Sequence, residues 1–392
     1  MIVDMKNYRV LQVLPHLNSG GLVSGAIEIS NALQKAGHFS YVASDGGRRE
    51  REILREGGKV LLLPLSSKNP ITIFRNIYRL SKIIKHNNIN IIHARSRAPA
   101  WSAYFAAKKM NIPFITTFHG TYSIKGNLKK KYNSVMTKGD KVIAISNFIK
   151  EHITQNYCIS SEKLVTIHRG INIDTFDHLK VSDERLISFC KKFNIPEDYF
   201  VVLLPGRITR WKGHKTLIKA IAMLGRDDII CLFVGDAQGR NKYVNELNSS
   251  IDKYGLSNNF RIIKNQIDMA AIYKLADVVV SASTDPEAFG RVVAEAQAMG
   301  RPTVAVNHGG APEIILKDIT GWLFKPGDAI DLSDKILKAL KLDDIERKVI
   351  STKAIQRTAL NFNNETMCLK TLKIYSDLIS SNNKNEKKYI SN

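Results

Sequence analysis

Strand and helix signals alternate along this 392-residue chain twice over, with a charged interruption between the two runs. No other feature constrains the fold as tightly. Strands joined by helical crossovers pair in parallel, and a parallel sheet needs both faces covered. In the first run, residues 9–17 are a mostly apolar stretch of strand length that ends in Asn18-Ser19-Gly20-Gly21. A helical pattern follows through Ile27, Ile29, Leu33 and Ala36 and stops at Gly37. Residues 41–43, 60–63, 89–93, 114–117 and 141–145 read as further strands, with helical segments such as 71–86 and 100–110 between them. The second run restarts with a strand at 200–204, a loop at 205–213 and a helix at 214–224. Strands at 229–234, 260–263, 277–281, 303–306 and 322–324 follow.

The length suits two domains rather than one. The expected division is a first domain at 1–180 and a second at 197–355. A helix at 356–380 is expected to pack back towards the first domain, and the polar tail 381–392 to be disordered. Two doubly wound, Rossmann-like α/β domains in series are expected to face each other across a cleft, with ligands at the carboxyl ends of the strands. No stretch reaches the ~18–20 apolar residues that span a bilayer, and the N-terminal apolar run is too short for a secretory segment. The chain is therefore expected to stay in the cytosol. Cys158, Cys190, Cys231 and Cys368 are scattered, which indicates neither a disulfide framework nor a zinc site.

The most informative segment runs from Thr284 to Glu295, TDPEAFGRVVAE. It follows a strand and opens a helix expected to reach about Met299. The backbone N–H groups of Phe289, Gly290, Arg291 and Val292 would be left unpaired and would suit a diphosphate. Glu287 precedes the helix, where a carboxylate can reach sugar hydroxyls. Glu295, about two turns in, can accept from a ribose diol. The spacing of the two glutamates alone would also describe incidental surface residues; the strand, the Phe-Gly turn and the helix together argue for the site. Gly206, Arg207 and Lys212 follow the first strand of the second run. Two cations there, both expected to be exposed, suit the charge on a leaving nucleoside diphosphate. No Asp-x-Asp metal signature is present in this half, so no metal and no cofactor is expected.

These motifs resemble the Glu-x7-Glu signature of retaining, nucleotide-sugar-dependent glycosyltransferases of the GT-B fold, specifically glycosyltransferase family 4 (group 1), which includes lipopolysaccharide and capsule enzymes. The similarity covers almost the whole chain. It takes in Gly20-Gly21, Thr117-Phe118-His119-Gly120, Ile167-His168-Arg169-Gly170-Ile171, Gly206-Arg207 with Lys212-Gly213, Gly235-Asp236, Ala276-Asp277, and Gly309-Gly310 with Glu313. The resemblance implies a donor linked to UDP, GDP or ADP and neutralisation of its diphosphate by Arg207 and Lys212 without metal. It also implies contact of His119 with the transferred sugar near its 6-position rather than a role as general base. A lone histidine is more often structural; its place at the end of a strand shifts the balance. Gly20 and Gly21 would let backbone amides approach the donor phosphate or the acceptor. The chain departs from the family at Asn90, at His93-Ala94-Arg95 and at Arg169, positions on the acceptor side or the hinge.

Charge is unevenly spread. Residues 1–170 carry 26 Lys and Arg against 9 Asp and Glu, and residues 57–139 hold 15 Lys and Arg with no acid. Such a run attracts polyanions. In the helix at 71–86, Ile73, Phe74, Ile77, Leu80 and Ile84 form an apolar side expected to cover the sheet, with Arg75, Arg79, Lys82, Lys85 and His86 largely off it. Lys125, Lys129, Lys130 and Lys131 make a second cluster. Together these are expected to meet an anionic membrane, giving peripheral attachment at the inner face of the cytoplasmic membrane and access to a lipid-linked or glycan acceptor. A nucleic-acid partner is not expected, because no recognition motif is present. An epimerase of the same fold and a nonenzymatic polyanion-binding protein are the competing readings. The second has no use for Arg207, Lys212, Glu287 and Glu295 in order.

Overall fold

The computed structural model describes residues 7–124, 126–264, 266 and 268–390, with side chains to Asn382. The chain divides into two compact units, 1–169 with 364–392, and 170–363.

In the first unit, β1 (Arg9–Val13), β2 (Phe39–Ser44), β3 (Lys59–Leu62), β4 (Ile91–Ala94), β5 (Phe114–Phe118), β6 (Lys141–Ala144) and β7 (Leu164–Thr166) form one sheet in the order 3-2-1-4-5-6-7. Every pairing is parallel. In the second unit, β8 (Phe200–Pro205), β9 (Ile229–Val234), β10 (Phe260–Ile263), β11 (Val278–Ser281), β12 (Thr303–Val306) and β13 (Trp322–Phe324) take the order 10-9-8-11-12-13, again all parallel. The two sheets repeat one plan, with the strand order reversing beside β1 and β8. Loops diverge at such a point and leave a crevice. The central strands read as unbroken apolar runs because helices cover both faces: Ile229, Ile230, Cys231, Leu232, Phe233 and Val234 are all buried.

The boundary differs from the expected 180–197. Residues 170–197 belong to the second unit, since the helix Asp183–Phe193 is tied to it by Arg185, which forks onto Asp268 at 2.6 and 2.8 Å. Lys274 Nζ also donates to the Val181 carbonyl at 2.7 Å. The expected helix at 356–380 is two helices. Asp344–Asn361 stays with the second unit, where Arg357 donates to the carbonyls of Glu313 and Ile314. Asn364–Ile390 joins the first, burying Met367, Cys368, Thr371, Tyr375 and Ile379 along one face. These pack with Val10, Ile29, Leu33, Ile91, Ile115 and Ile143. The same helix corrects the reading of the tail as disordered over 381–390; residues 391–392 lie outside the described residues. It runs on to Ile390, because a helix nucleated by a packed face propagates through residues of good helix propensity such as Lys and Glu. Among the described residues, no helix is long and apolar enough to cross a membrane.

Tyr375 joins this last helix to the sheet, its hydroxyl 2.7 Å from His93 Nδ1. His93 Nε2 lies 2.7 Å from Thr117 Oγ1, so both ring nitrogens are satisfied although the ring is fully buried. Removing the hydroxyl in Tyr375→Phe leaves Nδ1 unpaired, a loss of about 1–3 kcal/mol. The urea transition of the variant is expected at lower concentration with unchanged steepness; an unmoved midpoint would refute the assignment.

Candidate functional site

Loops at the carboxyl ends of the second sheet converge on one another. The β8 loop holds Gly206, Arg207 and Lys212; the β11 loop holds residues 282–290; the β12 loop holds His308, Gly309 and Gly310. Backbone hydrogen bonds stitch them together, with Thr284 N–H donating to Trp211 O at 2.7 Å and Gly310 N–H to Glu287 O at 2.8 Å. The approach is too close for side chains. A Cβ on Gly213 would stand 1.8 Å from the Ala282 carbonyl oxygen, and φ there is +74°; one on Gly309 would stand 2.5 Å from the Glu287 oxygen. Only glycine fits either place.

Lys212 and Glu287 meet in this cluster. Lys212 Nζ lies 2.7 Å from Glu287 Oε1, which also accepts from Ser283 Oγ. Lys212 is 8% exposed, a correction to the expectation of an open position. Its stem is buried by the Trp211 ring, 4.5 Å beneath the ammonium, and its charge is held by Glu287. Arg207 is exposed, its guanidinium 5.9 Å from the same ring. Trp211 is a site residue that sequence reasoning missed. Its place between two cations was the available signal.

The helix following β11 spans Arg291–Ala298, with Gly290 as its N-cap at φ +99°. It therefore begins later than expected. Phe289 lies before it, buried, with its ring 5.7 Å from that of Phe362. Arg291 and Val292 occupy the first helical positions, with no side chain capping the helix. Glu295 is one turn in rather than two. It accepts from Tyr273 O–H at 2.8 Å and from Arg291 Nε at 3.0 Å, which aims the carboxylate. Burial, and then the Glu295 charge, push the Tyr273 hydroxyl well above its ordinary pKa, so it stays a donor. Tyr273 lies 22 residues before Glu295, on the helix Met269–Leu275, and carried no sequence signal.

The first unit places its own candidates at the carboxyl edge of its sheet. Gly20 caps the helix Gly21–Lys35 at φ +104°, and a Cβ there would meet nothing within 4 Å. The backbone conformation, not crowding, requires glycine. His119 follows β5 and is partly buried, with Nε2 enclosed and lacking a partner. Burial, then Arg95 and Arg169, hold its pKa well below the ordinary histidine range. A neutral ring here can donate or accept one hydrogen bond but carries no charge.

The basic residues lie elsewhere on this unit. Arg75, Arg79 and Lys82 are exposed on the helix Pro70–His86, and Lys129, Lys130 and Lys131 on the helix Asn127–Asn133. Lys125 lies outside the described residues. The first helix buries Asn76, Leu80, Ser81 and Ile84, not the whole apolar side expected. Phe74 is 74% exposed, and Ile71 and Tyr78 join it outside. The sheet side takes a narrower stripe because the helix Arg97–Met110 also packs along this one, Ser102 Oγ donating to the Ile73 carbonyl.

Residues 19–175 match the family model described as Glycosyltransferase Family 4, and residues 188–357 match that of Glycosyl transferases group 1. A crystal structure of a glycosyltransferase from Rickettsia africae ESF-5 is 40% identical, covers 95% of this chain and 99% of its own, and superposes with a TM-score of 0.90. Alr3699/HepE of Anabaena, in complex with UDP and glucose, is 21% identical over 95% of this chain and 100% of its own, with a TM-score of 0.83. A D-inositol 3-phosphate glycosyltransferase of Xylanimonas cellulosilytica is 26% identical over 66% of this chain, which spans 65% of that relative's length.

Three buried imidazoles set a pH dependence. His93 lies well below the ordinary range through burial and then Arg95, His119 likewise, and burial brings His214 to about 4. Below pH 6.5 the unfolded chain takes up protons that the folded chain refuses. The stabilisation is therefore full above pH 6.5 and declines as pH falls, by up to about 1.4 kcal/mol per pH unit for each ring. Urea midpoints are expected to drop from pH 7 to pH 5, and less so in His93→Gln. Superimposable profiles for the two proteins would contradict neutral burial of His93.

Proposed function

The chain belongs to the group 1 glycosyltransferases of family 4, and from that premise we propose a retaining, metal-independent transfer of a sugar from a nucleoside-diphosphate donor to a cell-envelope glycan or glycolipid. Its two doubly wound α/β units make it a GT-B fold. The single observation that carries the reading is the grouping of Arg207, the Lys212–Glu287 pair and the uncapped start of Arg291–Ala298 on stitched loops at one sheet edge. A leaving diphosphate gains one negative charge beyond the two it carries in the donor, and fixed cations beside helical N–H groups meet it without reorganisation. In this reading Gly206 and Gly290 give the phosphates access to backbone. Glu295, held by Tyr273 and Arg291, binds the ribose diol. Glu287 meets the sugar hydroxyls, with Lys212 moving from the carboxylate towards the phosphate when donor binds. In the first unit, His119 is read as a contact of the transferred sugar, and the Gly20-Gly21 turn as letting backbone amides approach the donor phosphate or the acceptor. The UDP and glucose bound in the Anabaena structure support a donor of this class.

The acceptor is assigned to an anionic membrane surface, which makes the protein a peripheral one on the cytoplasmic side. What supports this is the acid-free stretch 57–139 together with the exposure of Phe74, Ile71 and Tyr78 among Arg75, Arg79 and Lys82. Aromatic and aliphatic side chains enter the headgroup boundary while each nearby cation adds about 1 kcal/mol of attraction.

Arg207→Ala is expected to lower turnover by ~10²-fold or more, equivalent to ~3–4 kcal/mol of lost charge stabilisation, with an unchanged melting temperature. Lys212→Ala should lower turnover comparably and also cost stability, since it strands the Glu287 carboxylate. Both are read with nucleotide-sugar donors and lipid extracts as acceptor, by mass spectrometry, in excess EDTA. Near-normal turnover of Arg207→Ala, or loss of wild-type activity in EDTA, would sink the corresponding part of the reading.

Vesicle co-sedimentation tests the membrane assignment. Binding is expected to anionic vesicles but not neutral ones, and to fall as the Debye length shrinks from ~10 Å at 0.1 M salt to ~3 Å at 1 M. Phe74→Ser should weaken it, and so should joint replacement of Lys129, Lys130 and Lys131 by Gln, both without change in nucleotide affinity. Equal sedimentation with both vesicle types, or with neither, would overturn it.

A further inference from the structure

The Glu287 carboxylate is held twice at one oxygen. Lys212 Nζ lies 2.7 Å from Oε1, and Ser283 Oγ donates to the same Oε1; neither uses Oε2. The Glu287 side chain is 19% exposed, and Ser283 is 1% exposed. Ser283 stands two residues past β11, and backbone contacts fix its segment on both sides. The N–H of Thr284 donates to the carbonyl of Trp211, next to Lys212, and the N–H of Gly310 donates to the carbonyl of Glu287. Gly309 lies too close to the Glu287 backbone to carry a Cβ. The distance from the Ser283 hydroxyl to Glu287 is therefore set without any contribution from Lys212.

Two donors on Oε1 exceed what the ion pair alone needs. Their use appears when Lys212 turns from the carboxylate to the diphosphate. An enclosed carboxylate that loses its counter-ion is costly and free to turn away. His308 also lies near Glu287, but burial lowers its pKa, so at neutral pH it supplies no charge in place of the ammonium. The Ser283 hydroxyl stays where it is and still occupies Oε1, so Oε2 keeps its direction.

We propose that Ser283 is a positioning residue for the transferred sugar: it anchors Glu287 through Oε1 while Lys212 is on the diphosphate, so that Oε2 accepts from a sugar hydroxyl. The inference rests on the reading of Lys212 and Glu287 as diphosphate and sugar contacts.

A donor-free test is a double-variant cycle read by urea midpoints, with Lys212→Met imitating the departed ammonium. Ser283→Ala alone should move the midpoint slightly, because Lys212 still holds Oε1. In the Lys212→Met background the same change should move it at least twice as far, because Oε1 is then left without a donor. Equal shifts in the two backgrounds would overturn the proposal. The second test takes whichever of UDP, GDP and ADP raises the melting midpoint, together with its glucose, galactose, mannose and N-acetylglucosamine conjugates. For the conjugate bound most tightly, Ser283→Ala should weaken equilibrium binding about tenfold, the size of one hydrogen bond to a charged group. Affinity for the free nucleotide should stay as in wild type. Ser283→Cys, nearly isosteric and a weak donor, should fall between the two. An equal loss for nucleotide and conjugate, no loss for the conjugate, or a Cys variant no better than Ala would mark Ser283 as structural and overturn the proposal. If none of the three nucleotides moves the midpoint, the donor reading fails instead, and the urea cycle still judges the anchoring of Glu287.

Discussion

A parallel sheet has no free face. Its strands are clad on both sides by their own crossover helices, so polar chemistry is confined to the strand ends and the loops beyond them. Both units obey this. Arg95 and His119 stand past the ends of β4 and β5, and Lys212, Glu287 and Glu295 past β8 and β11. The second unit tightens the constraint by packing its loops backbone to backbone at Gly213–Ala282 and Gly309–Glu287. That contact fixes where Lys212 and Glu287 emerge, and hence that they meet.

Buried charge is the second organising element. Each of three ion pairs at the sheet edges draws one partner from a helix that leaves the edge or from a loop beside it: Lys212 with Glu287, Arg291 with Glu295, and Arg169 with Glu28. Pairs of this kind are costly to bury and costlier to break. Their value lies in fixing direction: the Glu295 carboxylate is gripped by Tyr273 and Arg291 and cannot turn away. Histidines in the same regions are kept neutral by burial and by the cations, so they serve as hydrogen-bonding groups rather than charges.

Much of this was legible in the chain. The strands Ile229–Val234, Phe260–Ile263, Thr303–Val306 and Trp322–Phe324 and the helix His214–Leu224 have the bounds that their patterns predict, because buried parallel strands are written as short apolar runs between punctuation. β7 escaped because only Leu164 of its three residues is buried, which leaves no apolar run to read. The tail was misread because composition reports burial, not helicity, and a helix already anchored at Met367, Tyr375 and Ile379 continues through polar residues. The Pro70–His86 stripe was read too broadly. An amphipathic pattern gives the apolar side of a helix but not which part of it a neighbouring helix will cover.

The sequence by itself determined the two repeated parallel sheets, the loops that bear the glycines and cations, and the concentration of positive charge in the first half. These are local in origin: periodicity, turn residues and composition act within a few residues of one another. Only the tertiary structure decided that Lys212 is buried against Glu287, that Tyr273 orients Glu295, and that residues 364–390 complete the first unit rather than the second. It also decided that Ser283 and Lys212 meet on one oxygen of Glu287. Each depends on groups tens to hundreds of residues apart, and a chain specifies such distances only by folding, when crossover lengths and core packing bring the strand ends together.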